Sequence, residues 1–206
     1  MGQLVKSFVT LDKDSGSGNS TVTAQANSQN TGRNARSVNF TFKAANCSDV
    51  VRTVNQAGKA EFVNIQSAAT VVKGGVQTLT LTGTSNSSKL TFSLGSGGTL
   101  ALTLPSQYTA NGVLTDNGVA IVGDPGATGE YTFSIAFANI AENTTIEANT
   151  AQVIVTDNAG HTATCTVTQA AGDPYLEVTP ASVELAWDGT GTATFTVSTN
   201  TSYTIE

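Results

Sequence analysis

The sequence predicts an all-β protein of tandem β-sandwich modules, and three observations carry that reading. Short apolar–polar alternations recur along the 206 residues, and no stretch keeps helical periodicity over three turns. Charged residues are only 12% of the chain against 39% hydrophobic, with 20 Gly and abundant Ser, Thr and Asn, a balance that suits short strands and turns. The third observation is a repeated joint: Val167-Thr168-Gln169 closes one β-rich stretch before Ala170-Ala171-Gly172-Asp173-Pro174, as Val54-Asn55-Gln56 does before Ala57-Gly58. The joints divide the chain into modules at 1–58, 59–172 and 173–206, the second with an insertion around 95–128 and the third an incomplete start.

In the first module, Leu4-Val5 and Phe8-Val9 read as one strand, ending in the turn-rich run Asp12 to Asn19. Asp12 and Asp14 alternate as in a calcium loop. Thr23 stands where the bidentate Glu is needed, so a turn is expected there. Thr21 to Asn27 alternates as a half-buried strand should, and Val38 to Phe42 and Val50 to Gln56 follow. Arg33 and Arg36 form a local basic pair, expected as solvated loop charges.

The second module opens at Glu61-Phe62-Val63 and continues with Val76 to Thr82 and Leu90 to Leu94. Leu100 to Pro105 and the Gly/Asn/Asp-rich stretch Asn111 to Gly126 are material the first module lacks. Gly129 to Phe137, Val153 to Val155 and His161 to Val167 are further strands, the last entered through the turn Asp157-Asn158-Ala159-Gly160. Asn139 to Asn143 has room for one helical turn. Leu79, Leu81, Phe133, Ile135, Val153, Val155 and Val167 are the predicted core. Cys165 shares a face with Ala163 and Val167, which marks it as a small core residue, and no bridge to Cys47 is expected. The third module places Val183, Leu185 and Trp187 alternately inward, with a hairpin at Asp188-Gly189.

An Asn ends the second strand of each module, at Asn27, Asn86 and Asn200. Counted from Leu4, Phe62 and Leu176, the intervals are 23, 24 and 24 residues. From Gln56 to Asn86 and from Gln169 to Asn200 they are 30 and 31. Register this constant indicates homologous modules. On this register Met1 is expected at the natural start of the first module, and the third is expected to be interrupted at Glu206.

The residues Tyr175-Leu176-Glu177-Val178-Thr179-Pro180, Ala186-Trp187-Asp188-Gly189 and Val197-Ser198-Thr199-Asn200 resemble the BACON domain, as does the ending Val167-Thr168-Gln169. That family is an immunoglobulin-like β-sandwich frequent in proteins of gut Bacteroidetes and of the crAss-like phages that infect them. From Gly95 to Thr128 the second module looks more like a generic bacterial immunoglobulin-like domain. The resemblance implies tandem immunoglobulin-like (BACON-like) modules. It carries no catalytic motif, and it implies carbohydrate or mucin binding as a family activity.

Chemistry-bearing patterns are sparse. His161 is the only histidine, so any His-based triad or metal site would pass through it, and turn propensity already explains its place. Gly95-Ser96-Gly97-Gly98 lacks the Lys and helix of a phosphate loop. Net charge −6 and a pI near 4.6 argue against nucleic acid, and no apolar run is long enough for a membrane helix. No cofactor, metal or catalytic residue is expected. Sugar stacking would need exposed aromatics, and Tyr108, Trp187 and Tyr203 are the candidate glycan contacts. Tyr108 is expected to be the freest, in a Pro-Ser-Gln-Tyr-Thr loop, while Trp187 is expected in the core.

The N-terminal residues have no apolar core or cleavage site of an export signal, which suits a protein made in the host cytoplasm. With the resemblance, this implies a non-enzymatic virion structural protein of a bacteriophage, a capsid-attached decoration or head-fibre protein. Its expected partners are capsid or other virion proteins, reached through modules 1–58 and 59–172. Self-association into a homo-oligomer and contact with host or mucin glycans are the further partners considered. The alternatives are a carbohydrate-binding module of a surface or secreted glycan-degrading protein, and a tail or baseplate adhesin.

Overall fold

A computed structural model describes residues 2–206, and it is all-β. The strands are β1 (Leu4–Lys6), β2 (Val9–Leu11), β3 (Ala24–Ala26), β4 (Arg36–Phe42), β5 (Val50–Gln56), β6 (Val63–Ile65), β7 (Ala68–Val71) and β8 (Gln77–Ser85). They continue as β9 (Leu90–Leu94), β10 (Gln107–Ala110), β11 (Val113–Asp116), β12 (Tyr131–Ile140), β13 (Asn149–Asp157), β14 (Thr162–Gln169), β15 (Leu176–Thr179) and β16 (Thr196–Thr199). The helical content among the described residues is one 3₁₀ turn, Pro125–Ala127.

Two layers enclose the main core. One sheet has the order β11-β10-β12-β8-β6 and the other β7-β14-β13-β9. Period-2 alternation sends Leu79 and Leu81 of β8, Phe133, Ile135 and Phe137 of β12, and Val153 and Val155 of β13 between the layers, while their neighbours face out. All seven predicted core residues are buried, and Cys165 lies fully inside with them. Phe92 meets Tyr108 and Phe133 at 5.0 and 5.7 Å between ring centres, tilted and edge-on, the arrangements that ring quadrupoles favour. Both cysteines are free, Cys47 exposed and Cys165 buried.

Residues before Gln56 build a smaller body. The sheet β1-β2-β3 covers the antiparallel pair β4-β5 around Phe8, Val9, Leu11, Val38 and Phe40. The expected single strand over Leu4 to Val9 is instead a hairpin: Lys6 pairs with Val9, and Ser7 turns the chain with φ 54°. That bend drives Phe8 inward to 4% exposure. The strand expected from Thr21 shortens to β3, because the polar run before it is held by Asp12 N–H to Thr23 O at 3.0 Å and Thr23 N–H to Asp12 Oδ1 at 2.8 Å and by no strand ladder.

Pairing register also corrects the repeat. Val9 faces Ala26, Val63 faces Ser85 and Leu176 faces Thr199, so the residues across from Asn27, Asn86 and Asn200 are Phe8, Phe62 and Tyr175. The recurring partner of the Asn is therefore an aromatic residue, and the count from Leu4 is not the structural register.

One further expectation changes, and two stretches of the insertion gain a structure. The turn expected at Asn139 to Asn143 is the end of β12, which runs through a bulge at left-handed Asn139 (φ 56°) to Ile140. Leu100 to Pro105 joins no sheet, although Leu100 is buried and Leu102 and Leu104 pack on the core from an extended segment. Inside the insertion, Asn111-Gly112 (φ 49° and 78°) closes a two-residue hairpin between β10 and β11, as positive φ at both positions requires.

In 173–206 only β15 and β16 pair, and every residue of β15 is exposed. Val183, Leu185 and Trp187 do not alternate into a core: no strand spans them, and Leu185 and Trp187 are exposed. Two strands give an inward-pointing side chain no second layer to meet.

Candidate functional site

The sequence-selected aromatics separate cleanly. Tyr108 sits on β10 inside the sandwich at 2% exposure, where its hydroxyl accepts a bond from Leu90 N–H at 3.3 Å. It is no glycan platform, because both ring faces are taken by the core. Burial also pushes its phenol pKa upward. The Pro-Ser-Gln-Tyr-Thr stretch looked like a loop because its partner strands β11 and β12 lie across turn-rich sequence. Trp187 is 98% exposed, Tyr203 is half exposed, and Tyr175 is likewise open. Tyr131 is buried, its hydroxyl donating to Ser87 O at 2.9 Å.

His161 bonds Asp157 twice across the turn, through its backbone N–H and its Nδ1, each at 2.8 Å. Ser87 Oγ, a buried hydroxyl that accepts Asn158 N–H at 3.0 Å, has its single proton shared between Lys89 O and the Glu61 carboxylate. The constellation closes a hairpin. Asp14, at the calcium-like loop, instead accepts bonds from Ser15 and Gly2, which hold its carboxyl below the usual range. Among the described residues no three His, Cys, Asp or Glu groups stand close enough to share a metal.

What the fold does build is a pair of junctions. At the first, Asn86 follows β8, fully buried. Its Oδ1 accepts Phe62 N–H at 3.0 Å, and its Nδ2 lies 3.2 to 3.3 Å from the carbonyls of Ala60, Lys59 and Thr31. One side chain thus ties its own strand, the connecting segment and the preceding body together.

Arg33 reinforces the same place and is not a solvated loop charge. Its Nε donates to Asn86 O at 2.6 Å, and its guanidinium pairs with Asp124, a bond that raises its pKa further. Backbone bonds run beside it, from Arg33 N–H to Gly126 O and from Asn34 N–H to Ala127 O, both 2.9 Å. Lys59 spans the joint, 3.3 Å from Glu130 and 3.7 Å from the Phe62 ring centre. Arg36, three residues after Arg33, lies 4.4 Å from the ring centre of Phe8 and bonds Gln56 and Ser28.

The backbones meet so closely that only glycine fits. A Cβ at Gly58 would lie 1.9 Å from Arg33 O, and one at Gly126 would lie 2.0 Å from Asn86 O. The end of the insertion, Asp124 to Ala127, therefore serves as the seat for Arg33 and Asn34.

The second junction repeats the first with fewer bonds. Asn200 Oδ1 accepts Tyr175 N–H at 3.1 Å, and its Nδ2 donates to Asp173 O and to Thr144 O of the sandwich, both 2.9 Å. Gly172 N–H reaches Thr145 O at 2.6 Å, and Lys73 pairs with Asp173. The two junctions lie at opposite ends of β12: Glu130 before it bonds Thr31 Oγ1, and Asn143 after it orders Thr145. Ten residues of strand separate them, roughly 33 Å.

In the small body a cleft of about 640 Å³ opens among Leu4, Leu11, Val22, Phe40 and Phe42, and Lys6, Lys13, Lys43 and one acid, Asp14, also line it. Sequence reading found the Asn marks and the joints. It missed that Asn86, Arg33 and Asp124 meet, since they stand 53 and 91 residues apart along the chain. No protein-family model matches the sequence, and no curated protein is significantly similar to it.

Proposed function

We propose that the protein is a non-enzymatic structural protein of a virus particle, a capsid-attached decoration or head-fibre protein whose immunoglobulin-like units act as a stiff spacer. The observation that carries this reading is the junction centred on Asn86. A buried amide, an Arg–Asp pair, paired backbone segments and two glycine contacts fix one unit on the next, as a load-transmitting spacer needs and a tethered catalytic module does not. The likeness of the joint and strand-end residues to BACON domains of crAss-like phages supports the particle setting. Attachment through residues 1–172 fits the stronger of the two junctions, which leaves 173–206 on the outer side.

Weak glycan adhesion is an accessory reading favoured by one observation, the exposed Trp187 and Tyr203. Trp187 is almost wholly open to solvent and Tyr203 about half, and many copies on a particle would multiply a weak contact. Tyr108 has no part in it. Quantitative mass spectrometry of density-purified particles tests the main reading. The chain is expected in fixed stoichiometry with the capsid protein through successive gradients; its recovery only among free proteins of the lysate contradicts it.

A further inference from the structure

Charge is divided unevenly along the chain. Residues 1–58 hold six Lys and Arg against three Asp, a net of +3, whereas 59–206 hold three against twelve Asp and Glu, a net of −9. The last stretch, 173–206, has five acids and no Lys or Arg. The basic end also carries the apolar cleft, with Leu4 and Phe42 exposed by about two-fifths at its mouth. The acidic end exposes Leu176, Val178, Leu185, Trp187 and Phe195. Each end therefore offers apolar surface framed by the charge opposite to the other's.

The backbone is complementary in the same sense. In the sandwich, β7 begins six residues after Phe62 and pairs in parallel with β14, the strand that closes the unit. The segment six residues after Tyr175, residues 181–184, pairs with nothing. In the small body, β4 and β5 bond only to each other and keep a free edge each. An isolated two-stranded hairpin such as β15–β16 needs a covering layer to gain stability.

We propose that the acidic 173–206 region of one copy docks into the basic cleft end of residues 1–58 of a second copy. The long sandwich between the two junctions keeps a copy's own ends apart, so the contact is head-to-tail between molecules. Such a contact uses two different surfaces and leaves one of each free on every dimer, so it propagates into short filaments. This inference concerns self-association and stands independently of attachment to a particle.

Sedimentation velocity of the full chain tests it. The expected result is mass that grows past a dimer with concentration at about 50 mM salt and falls back at about 1 M, where attraction between charges is screened. The variant Lys13→Glu/Lys43→Glu reverses two of the three lysines at the cleft, and Glu177→Lys/Glu184→Lys cuts the acidic excess of 173–206. Lys43, which pairs with Asp49, and Glu177 and Glu184 are exposed and Lys13 is half-buried. All four lie outside both cores, so folding is expected to survive, and circular dichroism checks it. Each double variant is expected to weaken association about tenfold or more, and the quadruple variant to restore it. A chain that stays monomeric at every concentration overturns the proposal. So does a closed dimer indifferent to both swaps, or a monomer whose cleft binds only added acidic peptides.

Discussion

Asn86 and Asn200 do the same work at two junctions: each takes the backbone N–H of an aromatic residue, Phe62 or Tyr175, on its Oδ1. Each also gives its Nδ2 to carbonyls of the connecting segment and of the preceding body. The difference is burial, complete for Asn86 and partial for Asn200. Removing the first amide strands buried partners, whereas water replaces the second. Asn86→Ala is expected to cost about 2 to 3 kcal/mol and Asn200→Ala under about 1 kcal/mol, read from urea unfolding. Equal costs would contradict the burial argument.

Gly58 tests the junction from its backbone. Because an added methyl would overlap Arg33 O, Gly58→Ala is expected to separate the two bodies while both cores stay folded. Amide exchange should rise at Arg33, Asn34 and Lys59, whose N–H groups cross the joint, and stay unchanged in β12 and β13. Protection kept at those three amides would contradict the account.

The aromatic assignments give opposite expectations for similar residues. Tyr108→Ala empties a core position flanked by Phe92 and is expected to cost about 3 to 5 kcal/mol. Trp187→Ala is expected to change stability by less than about 0.5 kcal/mol, since its ring touches solvent almost everywhere. If glycan binding is detected on an array, loss of Trp187 or Tyr203 should abolish it. Dependence on Tyr108 with the fold intact would contradict the geometry.

Alkaline behaviour follows from the buried phenols. Desolvation raises the pKa of Tyr108 and Tyr131 above the ordinary 10.0. The folded state therefore holds these protons more tightly than the unfolded one. Their contribution is fully present below pH 10 and is lost as pH climbs from there toward the folded values. Stability should fall with rising pH above about 10, and Tyr108→Phe/Tyr131→Phe should flatten that part of the slope. An unchanged slope in the double variant would remove the phenols as its cause.

The all-β fold was legible because alternation in β8, β12, β13 and β14 is strict enough to sort inward from outward residues without a partner. Leu79, Leu81 and Val153 needed nothing else. Tyr108 was misplaced because its burial depends on β12 and on a hairpin hidden in the turn-rich insertion. Phe8 was misread for a local reason, a left-handed Ser7 inside what looked like one strand. The junction was half legible. Asn27, Asn86 and Asn200 stood out by spacing, but spacing says nothing of what an amide bonds, and Arg33 finds Asp124 only after the sandwich has folded.

The stiffness of the first junction is measured most directly by pulsed electron–electron resonance between spin labels on the native exposed Cys47 and on Cys introduced by Ala136→Cys on the outer face of β12. Cys165 is buried and its thiol pKa is raised by desolvation, so it leaves the two labels alone. A fixed spacer predicts one narrow distance distribution, which Asn86→Ala or Gly58→Ala broadens. A broad distribution in the otherwise unaltered chain, no narrower than in those variants, would contradict the central claim that the two bodies are locked end to end.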